Sequence, residues 1–475
     1  MGVHNLGTQI LFERTLGKMN HHREKWELLL SERRHSDIGP VFDPCGGNPF
    51  ENDYGRLVMS APVRRLQDKT QLFPLERSTY IRTRLTHSLE VSYIAGLLGQ
   101  NVEKLLMETG EIPSEKTGWL SSLLRAVGLV HDLGNPPFGH FGENAIKDFF
   151  RSYLRKGDFP LSTLERADLE NFDGNVQAFR ILTKLYYYGD QSSYNLTYST
   201  LAALIKYPSN ALIGNQGAGY AEIGRKKFGF FVSEADRYNA INDYLQLEGR
   251  RSPVVYLLEA ADDIAYGAAD LEDGMKVGAV NVGQVRDIFD ETLKDNHDRV
   301  MAQIDAICER FKGEGKLKNA LVAQGIGTFL QREMLRAAID SFVSHYDDIM
   351  QGRLEHELVD ISTAGDIHET FGRIQSLIFQ NKVKAKKELA GWEVMHGLLD
   401  IFMKGCMSDK FNPTSNTYAS HLYNVISVNF RLNYEHQETY PNDLYNRIRM
   451  VVDFITSLND RDAISLYQEL KGVKI

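Results

Sequence analysis

The sequence predicts a mainly α-helical protein: a helical core with an appended C-terminal helical lobe and, at most, a short β-hairpin. Three stretches repeat apolar residues at three- and four-residue intervals, the spacing of one helix face: 121–131, 253–271 and 444–458. Few segments alternate between apolar and polar residues, and 227–233, with three phenylalanines, is the best candidate for a strand or hairpin. The chain has only 13 prolines, and several of them fall where the helical patterns stop.

The length predicts more than one structural unit. The chain has 475 residues, whereas a single core usually stops growing at roughly 250–300 residues. The helical pattern begins firmly near Glu24, so residues 1–18 are predicted to be a loosely attached extension. Residues 19–290 are predicted to form the core that carries the chemistry. Residues 291–475 are predicted to form a C-terminal helical lobe packed on that core, without a polar cluster of obvious chemical sense.

Composition and charge exclude several classes of protein. With 54 basic and 63 acidic residues the net charge is −9, so any anionic ligand must be met by a local basic cluster. Three cysteines in so long a chain exclude a disulfide scaffold. No apolar run approaches the roughly 18 residues that span a bilayer, and the N-terminus lacks a secretory pattern. We therefore expect a cytoplasmic protein that is not inserted in a membrane.

The strongest candidate for chemistry is a run of polar residues after the apolar helix at 121–130. His131 and Asp132 follow this helix directly, just before a glycine, so both side chains can turn towards one ion. Imidazole nitrogen and carboxylate oxygen together suit a divalent metal. His140 and Glu143, three residues apart, share one face of the next predicted helix. A buried His–Asp hydrogen bond beside a Pro-Pro turn is the simplest alternative, but two histidines and two carboxylates within 13 positions favour a site.

A third histidine lies upstream, in the first turn of another predicted helix. Apolar residues around and after His87 form a helical stripe, which predicts a core helix: Leu85, Leu89, Tyr93 and Leu97. Arg82 and Arg84 precede the histidine, and arginines can grip a phosphate with two parallel hydrogen bonds. When this segment is taken alone, a capped helix with solvated arginines is the preferred interpretation.

A fourth segment, 259–273, places polar side chains along one face of a helix. Asp262, Tyr266 and Asp270 recur every four residues and are surrounded by alanines and a glycine, which predicts a cavity wall. Asp263 points about 100° away from them by the helical repeat, so we expect it at the surface or behind a ligand.

Together these residues resemble a known family. The order of His87, His131-Asp132 and Asp262 resembles the H…HD…D motif of the HD metal-dependent phosphohydrolases. The longer runs are similar to the deoxyguanosinetriphosphate triphosphohydrolases (dGTPases): RTRLTHS at 82–88, HDLGNPPFGHFGE at 131–143 and EAADDIAYGAADLED at 259–273, with shorter matches at 64–67, 69–76, 173–175 and 206–207. The resemblance is dense over residues 20–275 and thin afterwards, apart from a segment at 453–460.

The resemblance implies a role for each matching residue. It implies that one divalent metal ion is held by His87, His131, Asp132 and Asp262. It assigns catalysis to His140 and Glu143 and a phosphate contact to Arg84. It places Gln71, Tyr266 and Asp270 around the deoxyribose 3′-hydroxyl, with Tyr266 leaving no room for a 2′-hydroxyl. Further substrate contacts are implied for Asn175, Lys206, Tyr207 and Lys227, although Lys226 fits the last position as well. The Gly-rich stretch 213–224 looks like a variable insertion near the substrate entrance.

The implied reaction is hydrolysis of a dNTP, favouring dGTP. A bound metal lowers the pKa of water from about 15.7 towards about 7, and the resulting hydroxide can attack the α-phosphorus. That attack expels either the nucleoside 5′-oxygen or pyrophosphate; the family's outcome is the former, which gives deoxynucleoside and triphosphate. His140 suits a general acid for the 5′-oxygen, oriented by Glu143, but it can also serve as the base that activates water.

Several properties stay open from the sequence. The donor set accepts Mn, Mg, Co, Fe, Ni or Zn. An HD phosphodiesterase or phosphomonoesterase acting on another nucleotide is an alternative enzyme, and a nucleotide-sensing HD module with little turnover is an alternative of another class. The resemblance also implies a homo-oligomer, and a nucleotide or single-stranded DNA effector is possible.

Overall fold

A computed structural model describes residues 22–36, 47–76, 78–186, 193–215, 223–313, 318–436 and 440–473. The predicted extension at 1–18 lies outside the described residues, as do positions 216–222 of the Gly-rich stretch. No statement is made below about these segments.

The described ranges contain 21 α-helices, which confirms the prediction of a mainly α protein. The helices up to the middle of the chain are α1 (Arg23–Leu29), α2 (Pro49–Val58), α3 (Ala61–Arg65), α4 (Arg84–Glu108), α5 (Trp119–Val130), α6 (Gly139–Tyr153), α7 (Thr163–Glu170), α8 (Gly174–Thr183), α9 (Tyr198–Leu204), α10 (Ala235–Tyr244) and α11 (Pro253–Lys276). The remaining helices are α12 (Val282–Thr292), α13 (His297–Arg310), α14 (Lys318–Ser344), α15 (Tyr346–Met350), α16 (Gly365–Phe379), α17 (Lys382–Cys406), α18 (Tyr418–Val425), α19 (Val428–His436), α20 (Asp443–Ser457) and α21 (Asp460–Leu470). None of these helices combines the length and apolarity needed to cross a membrane.

The predicted strand or hairpin at 227–233 is wrong. Within the described ranges β pairing is limited to two isolated bridges, Arg34–Thr197 and Thr70–Thr83. The stretch runs extended without a partner strand and ends in a 3₁₀ turn, Val232–Glu234. Its aromatic residues are instead used for packing: Phe228 and Phe231 are fully buried, and Phe230 stacks on Tyr238 with ring centroids 4.0 Å apart. The aromatic pattern therefore reflects burial rather than a pleated strand.

Two hydrophobic clusters form the interior. The first is built around α4, α5, α11, α14 and α16. The second joins α6 to α17 and α20 and includes Phe138, Phe150, Leu398 and Tyr445. Each cluster takes residues from both sides of position 290. The division into a core at 19–290 and a lobe at 291–475 stays a prediction.

The packing of α4 differs from the predicted apolar stripe. On that stripe Leu89 and Tyr93 are 46% and 67% exposed, while the opposite face is buried against α5. The buried face carries glycines: a Cβ added at Gly99 would lie 2.8 Å from the Cα of Ser121. Close approach of the two backbones decides which face is inside, because only small residues allow it. His87 nevertheless lies in the first turn of α4, which Thr83 and Thr86 close with a capping box.

Candidate active site

Four side chains from three helices converge at one point. The Nε2 atom of His87 lies 3.1 Å from Oδ1 of Asp262, and the Nε2 atom of His131 lies 3.4 Å from the same oxygen. His131 Nε2 is 3.5 Å from Oδ2 of Asp132. Ligand atoms of His87, His131 and Asp132 all lie within 4.8 Å of one another. The first turn of α4, the end of α5 and the middle of α11 thus meet around a space of the size of one ion.

The orientation of His131 fits a metal ligand. Its Nδ1 donates a hydrogen bond to the carbonyl oxygen of Gly128 at 2.8 Å, and a carbonyl can only accept. The proton of a neutral ring is therefore on Nδ1, and Nε2 presents its lone pair. Among the described residues this buried Nε2 has no hydrogen-bond partner. In histidines that bind a metal, one ring nitrogen typically donates a hydrogen bond that fixes the tautomer, and the other ring nitrogen faces the metal without a hydrogen-bond partner.

Electrostatics at this point also favour a cation. Burial alone would raise the pKa of Asp132, but Arg84 and His131 hold it well below its usual range. The pKa of Asp262 is likewise lowered: burial opposes this, but His131, His87 and Lys206 outweigh the effect of burial. Both carboxylates are therefore ionised at neutral pH. The two carboxylates raise the pKa of His131 to about 10 although burial opposes this. The site therefore favours a positive charge, which a divalent ion can supply in place of a proton.

His140 and Glu143 form a pair at the start of α6, as predicted from their spacing. His140 Nδ1 lies 3.1 Å from Oε2 of Glu143, and the other oxygen, Oε1, accepts from the amide of Gly174 at 2.8 Å. The Glu143 side chain is buried, whereas 76% of the His140 side chain is exposed towards the cavity. The carboxylate raises the pKa of His140, and in return His140 lowers that of Glu143 to about 2 against the effect of burial.

A cavity of about 580 Å³ contains most of the residues singled out from the sequence. The predicted residues that line it are Gln71, Arg84, His87, Asp132, His140, Asp262, Tyr266 and Asp270. Arg84 is fixed by two contacts: its guanidinium pairs with Asp132, and its Nε donates to the carbonyl oxygen of Thr70 at 3.1 Å. The Oε1 atom of Gln71 is buried and, within the described ranges, has no hydrogen-bond partner. The metal-ligand candidates and the sugar candidates thus face one space.

The remaining candidates are not among the residues that line this cavity. Lys206 lies behind Asp262, with its Nζ 3.6 Å from Oδ2. Lys227 pairs with the buried Asp173 at 2.6 Å, whereas Lys226 pairs with Glu357 at 3.4 Å. Asn175 donates to Asp173 at 2.8 Å. Burial and Glu259 raise the pKa of Tyr207. Of the two neighbouring lysines, Lys227 is the one that lies near Glu143 and therefore near the catalytic pair.

Two expectations about the surroundings of the site are wrong. Of the two positions expected for Asp263, the surface is wrong: this residue lines the cavity, its side chain is only 16% exposed, and burial raises its pKa although His368 opposes this. The C-terminal part of the chain does contain polar residues at the site, because Gln375, Lys384 and Glu388 line the same cavity. Gln375 Nε2 donates to Asp270 Oδ2 at 2.8 Å. In the sequence Lys384 and Glu388 look like an ordinary solvated pair four residues apart, so no local signal points to them.

Comparisons with known proteins extend these observations. The family model of the HD domain matches residues 84–206. The chain is 36% identical over 472 residues to the deoxyguanosinetriphosphate triphosphohydrolase-like protein of Listeria monocytogenes, covering 94% of this chain and 100% of that protein. It is 31% identical over 465 residues to the protein of the same name from Synechocystis sp., covering 95% and 100%. The deoxyguanosinetriphosphate triphosphohydrolase of Yersinia pseudotuberculosis is 29% identical over 490 residues, covering 90% and 94%. The similarity is therefore not confined to residues 20–275.

Proposed function

The chain belongs to the deoxyguanosinetriphosphate triphosphohydrolase family of HD-domain phosphohydrolases, and from this premise we propose that it is a metal-dependent dNTP triphosphohydrolase that converts dGTP and water into deoxyguanosine and triphosphate. One observation carries the proposal. A two-His, two-Asp cluster and the sugar candidates Gln71, Tyr266 and Asp270 face the same region of the molecule, and all but His131 of these line one cavity. A metal site without a sugar pocket would support only a general phosphohydrolase.

His87, His131, Asp132 and Asp262 would hold one divalent ion, and their donor types accept Mn, Mg, Co, Fe, Ni or Zn. When bound, the ion lowers the pKa of water to about 7 and neutralises phosphate charge. The ligands are arranged for it, because both carboxylates stay ionised and the hydrogen bond from Nδ1 of His131 to Gly128 leaves Nε2 facing inward, where the ion would replace the Nε2 proton.

Basic residues around the cluster meet the triphosphate despite the net charge of −9. Arg84 lines the cavity beside Asp132, and Lys206 lies next to Asp262. Lys227 extends this positive region towards Glu143, and Asn175 and Tyr207, which lie outside the cavity lining, are proposed as further substrate contacts on the family resemblance. Positioning and charge neutralisation are the main requirements of phosphoryl chemistry, and these residues supply both.

His140 is the proposed general acid. The Glu143 carboxylate raises the pKa of His140 and so favours the protonated ring, and the exposed side chain reaches into the cavity. It donates a proton to the leaving 5′-oxygen, so deoxynucleoside leaves and the three phosphates stay together. Glu143 orients the ring through Nδ1 while the Gly174 amide holds the carboxylate in place.

The sugar pocket selects a deoxynucleotide. The orphaned Gln71 Oε1 can accept a hydrogen bond from the 3′-hydroxyl. Burial raises the pKa of Asp270 to about 6, and Gln375 braces its carboxylate. The ring of Tyr266 lies 6.3 Å from that of His368. We propose that Tyr266 fills the position where a 2′-hydroxyl would project. A homo-oligomeric state, a cytoplasmic location and a nucleotide or single-stranded DNA effector are further proposals that rest on the family resemblance.

Product identity tests this function. The purified protein is incubated with each of the four dNTPs and with one divalent metal at a time, and the products are separated by chromatography. We expect deoxynucleoside and triphosphate, fastest from dGTP, and no turnover by the matched His131→Ala/Asp132→Ala variant. Formation of dNMP and pyrophosphate, or preferred turnover of cyclic nucleotides or dNMPs, would contradict the proposal. Nucleotide-induced stabilisation without turnover, equal in the parent and the double variant, would instead indicate a sensing module.

A further inference from the structure

The turn that leads into the catalytic pair has an unusual backbone. Phe138 has a φ of 64°, and the following Gly139 has a φ of 59°. For a residue with a side chain the left-handed region is strained, so the surroundings must hold this turn in place. His140 follows two residues later in the first turn of α6. The direction of the His140 side chain therefore depends on whatever fixes Phe138.

Asp460, at the start of the distant helix α21, holds this turn. Its Oδ1 accepts from the backbone amide of Phe138 at 2.9 Å, and its Oδ2 accepts from the hydroxyl of Thr70. The Asp460 residue is only 2% exposed. One buried carboxylate thus joins the turn before His140 to the loop that carries Gln71. The carbonyl oxygen of Thr70 in turn accepts from Arg84.

Lys69 provides a second tie between the same parts of the chain. Its Nζ donates to the carbonyl oxygens of Asn135, at 2.7 Å, and Thr456, at 2.8 Å. Asn135 lies at the other end of the turn and donates through Nδ2 to Oδ1 of Asp132 at 2.6 Å. The segment 453–460 is therefore tied to the turn at both ends: indirectly through Lys69, which bridges the carbonyls of Thr456 and Asn135, and directly through the Asp460 carboxylate.

We propose that Asp460 is a positioning residue for catalysis, which fixes the Phe138 turn and thereby the direction of His140 towards the leaving group. Resting on the proposed function, this inference makes the C-terminal segment 453–460 a part of the catalytic apparatus. Asp460 touches neither substrate nor metal ligands and acts only through Phe138 and Thr70. A displacement of about 1 Å at a reacting group can reduce a rate by about 10²-fold, so a small movement of the turn is sufficient to be measured.

Asp462 offers a matched control on the same helix. It is also an acidic residue in the first turn of α21, but it is exposed, and within the described ranges its hydrogen bonds are with Asn459. Asp460→Ala removes the acceptor for both donors. Asp460→Asn keeps the size, but its single amide oxygen can serve only one donor well, so it remains informative if the alanine variant folds poorly. Asp462→Asn removes the same charge from the same helix end.

The kinetic test compares kcat and KM for dGTP in the parent and in a His140→Ala background. We expect Asp460→Asn to lower kcat at least about tenfold with a smaller change in KM, and Asp462→Asn to change neither. In the His140→Ala background the same substitution should lower the residual rate less than about twofold, because residues that act as one unit are not additive. Equal losses in both backgrounds, or an unchanged kcat, would overturn the inference.

Hydrogen exchange tests the inference independently of activity. The amide exchange of a peptide covering residues 136–144 is measured by mass spectrometry in the full-length variants. Faster exchange of this peptide in Asp460→Asn than in Asp462→Asn is expected, because the Phe138 amide loses its charged acceptor. Unchanged exchange would overturn the inference even if dNTP hydrolysis is confirmed. If the parent hydrolyses no dNTP the proposed function fails, but the exchange result still decides whether Asp460 holds the turn.

Discussion

Glu143 controls the protonation of His140, and this has a consequence for the pH dependence of the reaction. A general acid must carry its proton, so kcat falls as the pH rises through the pKa of His140. The Glu143 carboxylate raises that pKa, which places this loss of activity at higher pH than an isolated histidine would give. The pair therefore widens the pH range over which the acid form is present.

Glu143→Gln should move the alkaline limb of the kcat–pH profile to lower pH. Glutamine retains an oxygen for the Gly174 amide but lacks the charge that favours protonated His140. The measurement is kcat for dGTP across pH 6–10 at saturating metal. As a reference, His140→Ala should lower kcat by roughly 10²- to 10⁴-fold. An alkaline limb at the same pH in Glu143→Gln would show that another group titrates there.

Tyr266→Ala should weaken the discrimination against ribonucleotides. Removing the ring opens the space that a 2′-hydroxyl would occupy, while Asp270 and Gln71 can still bind the 3′-hydroxyl. We expect the ratio of kcat/KM for GTP to that for dGTP to rise by roughly tenfold or more. Competition between the two nucleotides, followed by product separation, measures this ratio. Equal loss of both activities would mean that the phenol ring does not act as the steric filter.

Local sequence patterns explain which residues were identified and which were missed. His131 with Asp132, and His140 with Glu143, are neighbours within one turn of chain, so their association follows from spacing alone. Gln375 is 105 positions from Asp270, and no sequence pattern indicates that the two residues are in contact. For Asp263, a rotation of about 100° on the helix leaves two positions open, the surface or behind a ligand, and the sequence does not show that the surface is excluded. Other helices cover α11 on more than one side, so that face is enclosed as well.

At the scale of helices, the contact between α17 and the Phe138 turn is the tightest link between the C-terminal half and the site. A Cβ added at Gly391 would lie 2.5 Å from Cγ of Phe138. Gly391 is thus present because the aromatic ring leaves no space for a side chain. Gly372, on the neighbouring α16, has no atom within 4 Å of such a Cβ in the described part of the chain.

Gly391→Ala should therefore destabilise the protein and lower its activity, whereas Gly372→Ala should not. Overpacking a core typically costs about 1–3 kcal/mol, while alanine in an open helical position gains up to about 1 kcal/mol over glycine. We expect a lower Tm and a lower kcat for Gly391→Ala, and an equal or higher Tm for Gly372→Ala. Circular dichroism melts and initial rates measure both. A Tm of Gly391→Ala at or above the parent value would exclude this tight contact.

Helix positions were predictable to a greater extent than helix faces. The apolar periodicity at 253–271 corresponds to α11, and that at 444–458 corresponds to α20. For α4 the periodicity indicated a helix correctly but selected the wrong buried face. A stripe of leucines and a tyrosine has the larger apolar area, yet the side with glycines and serines allows α5 to approach more closely. Such backbone-to-backbone packing depends on the partner helix and is not encoded in one segment.

At the scale of the whole molecule, buried ion pairs connect α8 with α20. Arg180 binds Asp453 through two nitrogens, and Arg449 contacts the same carboxylate; all three side chains are buried. Because both hydrophobic clusters take residues from either side of position 290, the chain is expected to unfold as one cooperative unit.

Asp453→Asn should destabilise the whole protein without splitting its unfolding transition. Loss of one partner from a buried pair costs about 3–5 kcal/mol, since Arg449 remains buried without this counter-charge and Arg180 retains only its pair with Glu234. Urea unfolding followed by far-UV circular dichroism and by tryptophan fluorescence should give coincident curves with a lower midpoint. Asp305→Asn, which breaks the exposed pair with Arg286, should leave the midpoint nearly unchanged. Two separate transitions in the parent would favour independent units divided near position 290.

The wall of the cavity combines Gln71 from early in the chain with Lys384 and Glu388 from late in it. While the chain is still being synthesised on the ribosome, the histidines and aspartates of the HD segment can therefore come together long before the cavity for a nucleotide is complete. Only after α17 has left the exit tunnel is the binding wall complete. Truncated translation products that retain the HD segment but end before α17 therefore lack Lys384 and Glu388 from the cavity wall.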